Sequence, residues 1–178
     1  MSDWGDDELE GVEAQPIDVD EPDGPTQICS DQFAAGIVVL DLDPIMLLED
    51  KRVTYTRPNP PTRSGPFLCI GVEPSGYCSW TGITTAFRSE RLELRTWWRL
   101  GGGARWRDSN NYLTDAGSVL RGPAEAFAAA SWRETFNDPD DLPRLTEQGL
   151  SEVLKRMATE RGRREAPRNR FGAGRRGA

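Results

Sequence analysis

No histidine occurs among the 178 residues, and this absence narrows the chemistry open to the chain. Without imidazole there is no Ser-His-Asp or Cys-His nucleophile system, no HExxH zinc site, and no side chain whose ordinary pKa suits a neutral-pH proton shuttle. Catalysis has to rest on Arg, Ser, Thr, Tyr, Cys or carboxylates. The three cysteines, Cys29, Cys69 and Cys78, cannot all pair within one chain and none lies in a CxxC arrangement, so buried free thiols are expected. Asp108 and Asp115 suit turns at least as well as a metal, and no spacing demands a metal or cofactor, so none is expected.

What the chain does hold is arginine interleaved with tryptophan. Trp80, Trp97, Trp98, Trp106 and Trp132 share one stretch with Arg88, Arg91, Arg95, Arg99, Arg105 and Arg107. Bases stack on aromatic rings while guanidinium groups meet phosphates, so this composition suits single-stranded nucleic acid, with Trp80, Arg105, Trp106 and Arg107 among the candidate contacts. Large aromatics also dominate small cores, so about half of these tryptophans should be buried, with Trp97 or Trp98 and Trp106 the exposed ones. The run from Arg105 to Tyr112 reads as a polar loop facing a ligand.

The elements that must position these groups read mainly as strands. Gly36 to Asp43 is β-branched, then alternating, and meets a proline at Pro44, as a strand entering a turn does. Four prolines between Arg57 and Pro66 remove backbone donors and fix φ, which makes that segment a loop. Phe67–Val72 and Tyr77–Thr84 then form a hairpin around Pro74-Ser75-Gly76. A strand is expected over Leu92–Leu100, and short ones at Tyr112–Leu113 and Ser118–Leu120, with Gly122-Pro123 opening an alanine-rich helix. Thr146 caps a last helix whose stripe is Leu150, Val153, Leu154, Met157 and Ala158, ending before Gly162.

Charge divides the chain into three parts. The net charge is −7, yet residues 1–31 hold eleven Asp or Glu and no Lys or Arg, while Lys51 to Arg133 holds twelve basic residues against six acidic ones. Lys155 to Ala178 holds nine Lys or Arg against Glu160 and Glu165. The expected organisation is an acidic disordered arm over 1–31, a β-barrel domain with a C-terminal helix over 32–161, and a basic disordered tail over 162–178. The tail would attract nucleic acid through counterion release, and the arm would fold back on the basic body and compete for it, or hold a basic partner. The most apolar stretch, Phe33 to Leu48, is broken by Asp41 and Asp43 and is shorter than the roughly 20 residues of a spanning helix. No secretory pattern opens the chain, so no membrane contact and a cytoplasmic address are expected.

The succession Ile37-Val38-Val39-Leu40-Asp41-Leu42-Asp43-Pro44, a proline-rich loop, Gly65-Pro66-Phe67-Leu68-Cys69-Ile70 and a strand ending Thr81-Gly82-Ile83-Thr84 resembles the MazF/PemK toxin endoribonucleases over roughly residues 36–85. The resemblance implies a small SH3-like (MazF/PemK/CcdB-like) barrel, often a homodimer, that cleaves single-stranded RNA without metal, with an antitoxin or another protein as partner. It also implies a catalytic pair, the Arg before that Pro and the Thr or Ser closing the next strand. Thr84 matches the second position, with Thr85 beside it; the first is Gly65 here. Arg63, two residues upstream, is the expected substitute and Arg57 a more remote one, either able to stabilise developing charge on a phosphorus centre. The alternative is a catalytically inactive SH3-like barrel that binds nucleic acid or a protein.

Overall fold

The computed structural model describes residues 24–165. In chain order these form β1 (Thr26–Gln27), β2 (Val38–Leu42), α1 (Pro44–Glu49), β3 (Thr54–Tyr55), β4 (Gly65–Val72), β5 (Tyr77–Thr84), β6 (Arg99–Leu100), α2 (Ala104–Arg107), β7 (Tyr112–Leu113), β8 (Leu120–Pro123), α3 (Ala124–Ala130), β9 (Thr135–Phe136), β10 (Arg144–Leu145) and α4 (Glu147–Glu165). The protein is mainly β, with all strand pairs antiparallel.

The main sheet runs β2-β4-β5-β8-β3, and its axis is the β4–β5 hairpin. Gly76, at φ 82°, closes the turn, and Glu73 and Tyr77 are joined by a 2.7 Å backbone bond. β5 changes partner along its length: Tyr77–Trp80 pairs with β8, whereas Ile83 and Thr84 pair with β7. β2 and β3 are the outer members of this ladder, which does not close on itself. Short ribbons, β1 with β9 and β6 with β10, flank it.

Both faces of the sheet are covered, because successive strand residues point to opposite sides. Val39, Phe67, Cys69 and Trp80 join one cluster with Leu120 and Phe127, under α1 and α3. Their neighbours Val38 and Leu68 join the other with Ile83, Trp98, Trp106, Leu113, Val153 and Met157, under α2 and α4. Trp80, fully buried, stands edge-on to Phe33 at 5.0 Å and stacks on Phe127 at 5.4 Å.

Several expectations shift for identifiable reasons. Pro44 follows β2 not in a plain turn but at the first position of α1, where its missing N–H is harmless and Asp43 accepts from the Ile45 and Met46 amides. Leu92–Leu100 is not one strand: Glu93 bridges to Tyr112 of β7 and Arg99–Leu100 pairs with β10, but Thr96–Trp98 between them tightens into a 3-10 turn. Gly122 and Pro123 end β8, and Pro123 is at the same time the N-cap residue of the alanine-rich helix α3. Residues 24–31, grouped by charge with the acidic arm, belong to the fold, for Thr26 pairs with Phe136 and Ile28 is buried. The remainder of the arm, 1–23, and of the tail, 166–178, lies outside the described residues. α4 runs through Gly162 to Glu165, capped as expected by Thr146, whose hydroxyl accepts from the Gly149 amide at 3.1 Å. Its buried stripe is narrower than the periodicity suggests: Val153 and Met157 are buried, whereas Leu154 is exposed. Among the described residues no helix is long and apolar enough to cross a membrane.

Candidate functional site: an arginine-lined cleft

Toward the Thr84 end of β5 the sheet opens into a cleft of about 1130 Å³. Its floor comes from the start of β4 (Gly65, Pro66) and the end of β5 (Gly82, Ile83, Thr84); its walls come from the 57–64 loop, the 85–92 segment, the 114–118 turn and the second half of α4. Eight arginines line it, Arg57, Arg63, Arg88, Arg91, Arg105, Arg156, Arg163 and Arg164, against the carboxylates Glu90, Asp115 and Glu160. Like charges gathered in a concave site raise the local concentration of anions.

These arginines divide by what they already hold. Asp115 grips two of them, Arg57 at 2.5 Å and Arg164 at 3.3 Å, and also accepts from the Gly117 amide at 3.0 Å. Burial pushes its carboxyl upward, but the Gly117 amide and the Arg57 guanidinium outweigh it and leave the group below its ordinary value. The Arg164 guanidinium rests on Gly117, where a Cβ would displace it. Gly149 is the tighter position, at the other end of α4, where a Cβ would meet the Trp98 Cβ at 2.7 Å. Arg91 ties the 85–91 loop down, donating to the Thr114 carbonyl at 3.1 Å and the Ala86 carbonyl at 2.7 Å. Arg156 donates to the Glu90 carbonyl, and Glu160 pairs with Arg156 at 3.6 Å and Arg163 at 3.3 Å. Among the described residues the Arg63, Arg88 and Arg105 side chains make no hydrogen bond or ion pair, and all three are exposed.

The cleft lining includes Arg57, Arg63, Trp80, Thr84, Thr85 and Arg105 of the residues singled out in the sequence. Thr84 is half-buried, and its hydroxyl oxygen accepts from the Ala86 amide at 3.1 Å, leaving its own proton free to be donated. Gly65 also lines the cleft, and a Cβ there would meet nothing within 4 Å.

Other candidates are not placed to touch a ligand. Trp106 is fully buried: of the expected polar loop, Arg105–Arg107 belong to helix α2 and only Asp108–Asn111 are irregular, with Ser109 and Asn111 on the cleft. The Trp106 indole N–H donates to the Leu100 carbonyl at 3.1 Å, and Arg99 lies over its ring at 5.7 Å. Arg99 is itself buried, donating to the Trp106 and Ser109 carbonyls, and burial lowers its pKa. Trp80, although part of the cleft lining, is fully buried, with its ring held between Phe33 and Phe127. Arg107 is exposed but outside the cleft lining. Of the five tryptophans, Trp97 and Trp132 are exposed and Trp80, Trp98 and Trp106 buried.

Cys69 and Cys78 are buried as expected, and burial pushes their thiols up to about 12 and about 11, which keeps them from acting as thiolates. Cys29 is exposed, contrary to expectation. Among the described residues no cluster of three or more His, Cys, Asp or Glu is placed to share a metal ion.

Arg156, Arg163 and Arg164 are the residues that sequence reasoning places elsewhere, as part of a cationic end. Their spacing with Glu160, i, i+4, i+7, i+8, puts them on one helical face, and that pattern is the available signal. Comparison with protein-family models, with curated proteins and with solved structures returns no match for this chain.

Proposed function

We propose that the cleft binds single-stranded RNA and cleaves it without a metal, as a MazF/PemK-type endoribonuclease on an SH3-like barrel. The observation that carries this reading is the gathering of eight arginines in one concave site that also contains both Arg63 and Thr84. A duplex has no need of so enclosed a groove, whereas a single strand is held by a cationic channel that follows its backbone. The barrel reading is supported by the five-stranded antiparallel order β2-β4-β5-β8-β3 with register shifts in the β2–β4 and β4–β5 ladders, since such bulges bend a sheet toward closure.

In this reaction the RNA 2′-oxygen bonds to phosphorus as the 5′-oxygen leaves; solvent takes the 2′-hydroxyl proton and returns one to the leaving oxygen. Arg63 offsets the charge that grows on the non-bridging oxygens, a fixed guanidinium being suited to bidentate contact with phosphate. Thr84 donates its hydroxyl proton to one of them.

A second reading, a catalytically inactive barrel that binds RNA or a protein partner, is favoured by Gly65 at the family's arginine position and by the engagement of the Thr84 oxygen with Ala86. End-labelled single-stranded RNA incubated with the full chain in chelator separates the two. Cleavage lost in Thr84→Ala with binding retained, and lost in Arg63→Ala with binding weakened but measurable, is expected from the enzyme. RNA bound but left intact removes the catalytic reading. Because Gly65 has open space for a side chain, Gly65→Arg should then leave the fold unaltered while raising any cleavage.

A further inference from the structure

We infer that Phe87 is the base-stacking platform of the cleft, which makes the ligand a single strand with unpaired bases rather than a bare polyanion; this rests on the cleft being a nucleic-acid site. Phe87 is 72% exposed, the most exposed large hydrophobic residue among the described residues. An isolated apolar side chain in water is ordinary in itself. What distinguishes Phe87 is the loop that carries it. The Ala86 amide donates to the Thr84 hydroxyl at 3.1 Å, Arg91 donates to the Ala86 carbonyl at 2.7 Å, the Arg91 amide donates to the Arg88 carbonyl at 3.1 Å, and Arg156 reaches across from α4 to the Glu90 carbonyl. The backbone is tied down on both sides of a ring that is left in solvent.

The position of the ring fits the same role. Phe87 is outside the cleft lining but stands in a loop between Thr85 and Arg88, which line it, and the Arg88 guanidinium makes no bond among the described residues. Phe87 meets Tyr112 edge-on, with centroids 5.7 Å apart and planes at 70°, an orientation that braces the ring and does not cover its face. The other exposed aromatic rings differ. Trp97 lies under Arg95 at 5.2 Å and Trp132 under Arg133 at 4.5 Å, so each is already engaged by a neighbouring cation. Phe87 has no such partner among the described residues. A base stacked on it would sit next to a phosphate held by Arg88, which is how base and backbone alternate along a strand.

The test uses the full chain and a labelled 2′-O-methyl oligonucleotide, which lacks the attacking hydroxyl and stays intact, alongside an abasic strand with the same number of phosphates. Phe87→Ala is expected to weaken binding of the base-bearing strand roughly 5- to 150-fold and to leave the abasic strand unchanged, while Phe87→Trp keeps the affinity. Equal weakening on both strands, or on neither, overturns stacking, as does a change of oligomeric mass in Phe87→Ala, which would make the ring a contact between copies. Wild-type protein that binds neither strand retires the nucleic-acid reading of the cleft itself; wild-type protein that binds both equally retires only the stacking.

Discussion

Two neighbouring stretches, 84–92 and 95–111, are both rich in arginine and aromatic residues, yet the fold uses them in opposite ways. In the second, Arg99 is buried, donates through one terminal nitrogen to the Trp106 and Ser109 carbonyls while its Nε has no partner among the described residues, and lies over the fully buried Trp106. The guanidinium there closes a loop onto the core. In the first, Arg88 and Phe87 face solvent beside a cleft dominated by arginines, and only Arg91 is spent on structure. A buried donor gains by finding an acceptor, because leaving it without one costs about 1–3 kcal/mol. Where the chain itself supplies carbonyls the arginine is structural; where it does not, the charge remains for a ligand.

Removing Trp106 should break this contrast most severely if it is wrong. Trp106→Ala is expected to cost about 3–5 kcal/mol by urea denaturation, with little change in oligonucleotide affinity for the protein that remains folded. A stable variant that no longer binds RNA would place Trp106 itself in the site, beside the cleft-lining Arg105. Next in size, Arg63→Ala with Arg88→Ala should leave stability within about 0.5 kcal/mol and lower RNA affinity, with the slope of log K against log salt falling by about 1 for each phosphate that is no longer neutralised. An unaltered slope would show that neither cation meets a phosphate.

Smaller effects are expected from charges that modulate the cleft. Deleting residues 1–23, which hold ten of the chain's acidic residues and no basic ones, should tighten RNA binding severalfold at low salt and have no effect at high salt, where such attraction is screened. The cut belongs at 23 and not at 31, since Ile28 is buried. Unchanged affinity in dilute buffer would free the cleft from any competition by the arm.

The smallest effect concerns Asp115, whose folded-state pKa is depressed. Its contribution is present above the ordinary carboxylate pKa and lost as pH falls through the lower folded value. Since Arg57 and Arg164 are 34% and 41% exposed, solvent limits that contribution to under about 1 kcal/mol. The melting difference between wild type and Asp115→Asn should therefore be largest above about pH 5 and shrink below about pH 4. A difference independent of pH would mean that Asp115 acts through its turn alone.

Local chemistry makes much of the fold readable. The β4–β5 hairpin follows from its turn residues, the start of α4 from Thr146, and the burial of Cys69 and Cys78 from their place in apolar strands. Leu92–Leu100 misleads because a run of alternating bulky residues fits a strand and a 3-10 turn alike, and only the packing of Trp98 on Gly149 selects between them. Trp106 misleads for a related reason: arginines on both sides suggest solvent, but a single turn of helix lets the indole point inward while Arg105 and Arg107 point out.

The sequence alone determined the absence of imidazole chemistry, the segregation of charge and the strand-rich body, because these depend on composition and on periods of a few residues. Only the tertiary structure decided which arginines share a cleft. Arg57, Arg88 and Arg164 are far apart in the chain, and their convergence depends on the Asp115 turn, a glycine small enough to lie beneath a guanidinium, and the docking of α4 across the sheet. A charge reads the same in sequence whether its partner is a carbonyl or open water, and long-range packing makes that choice.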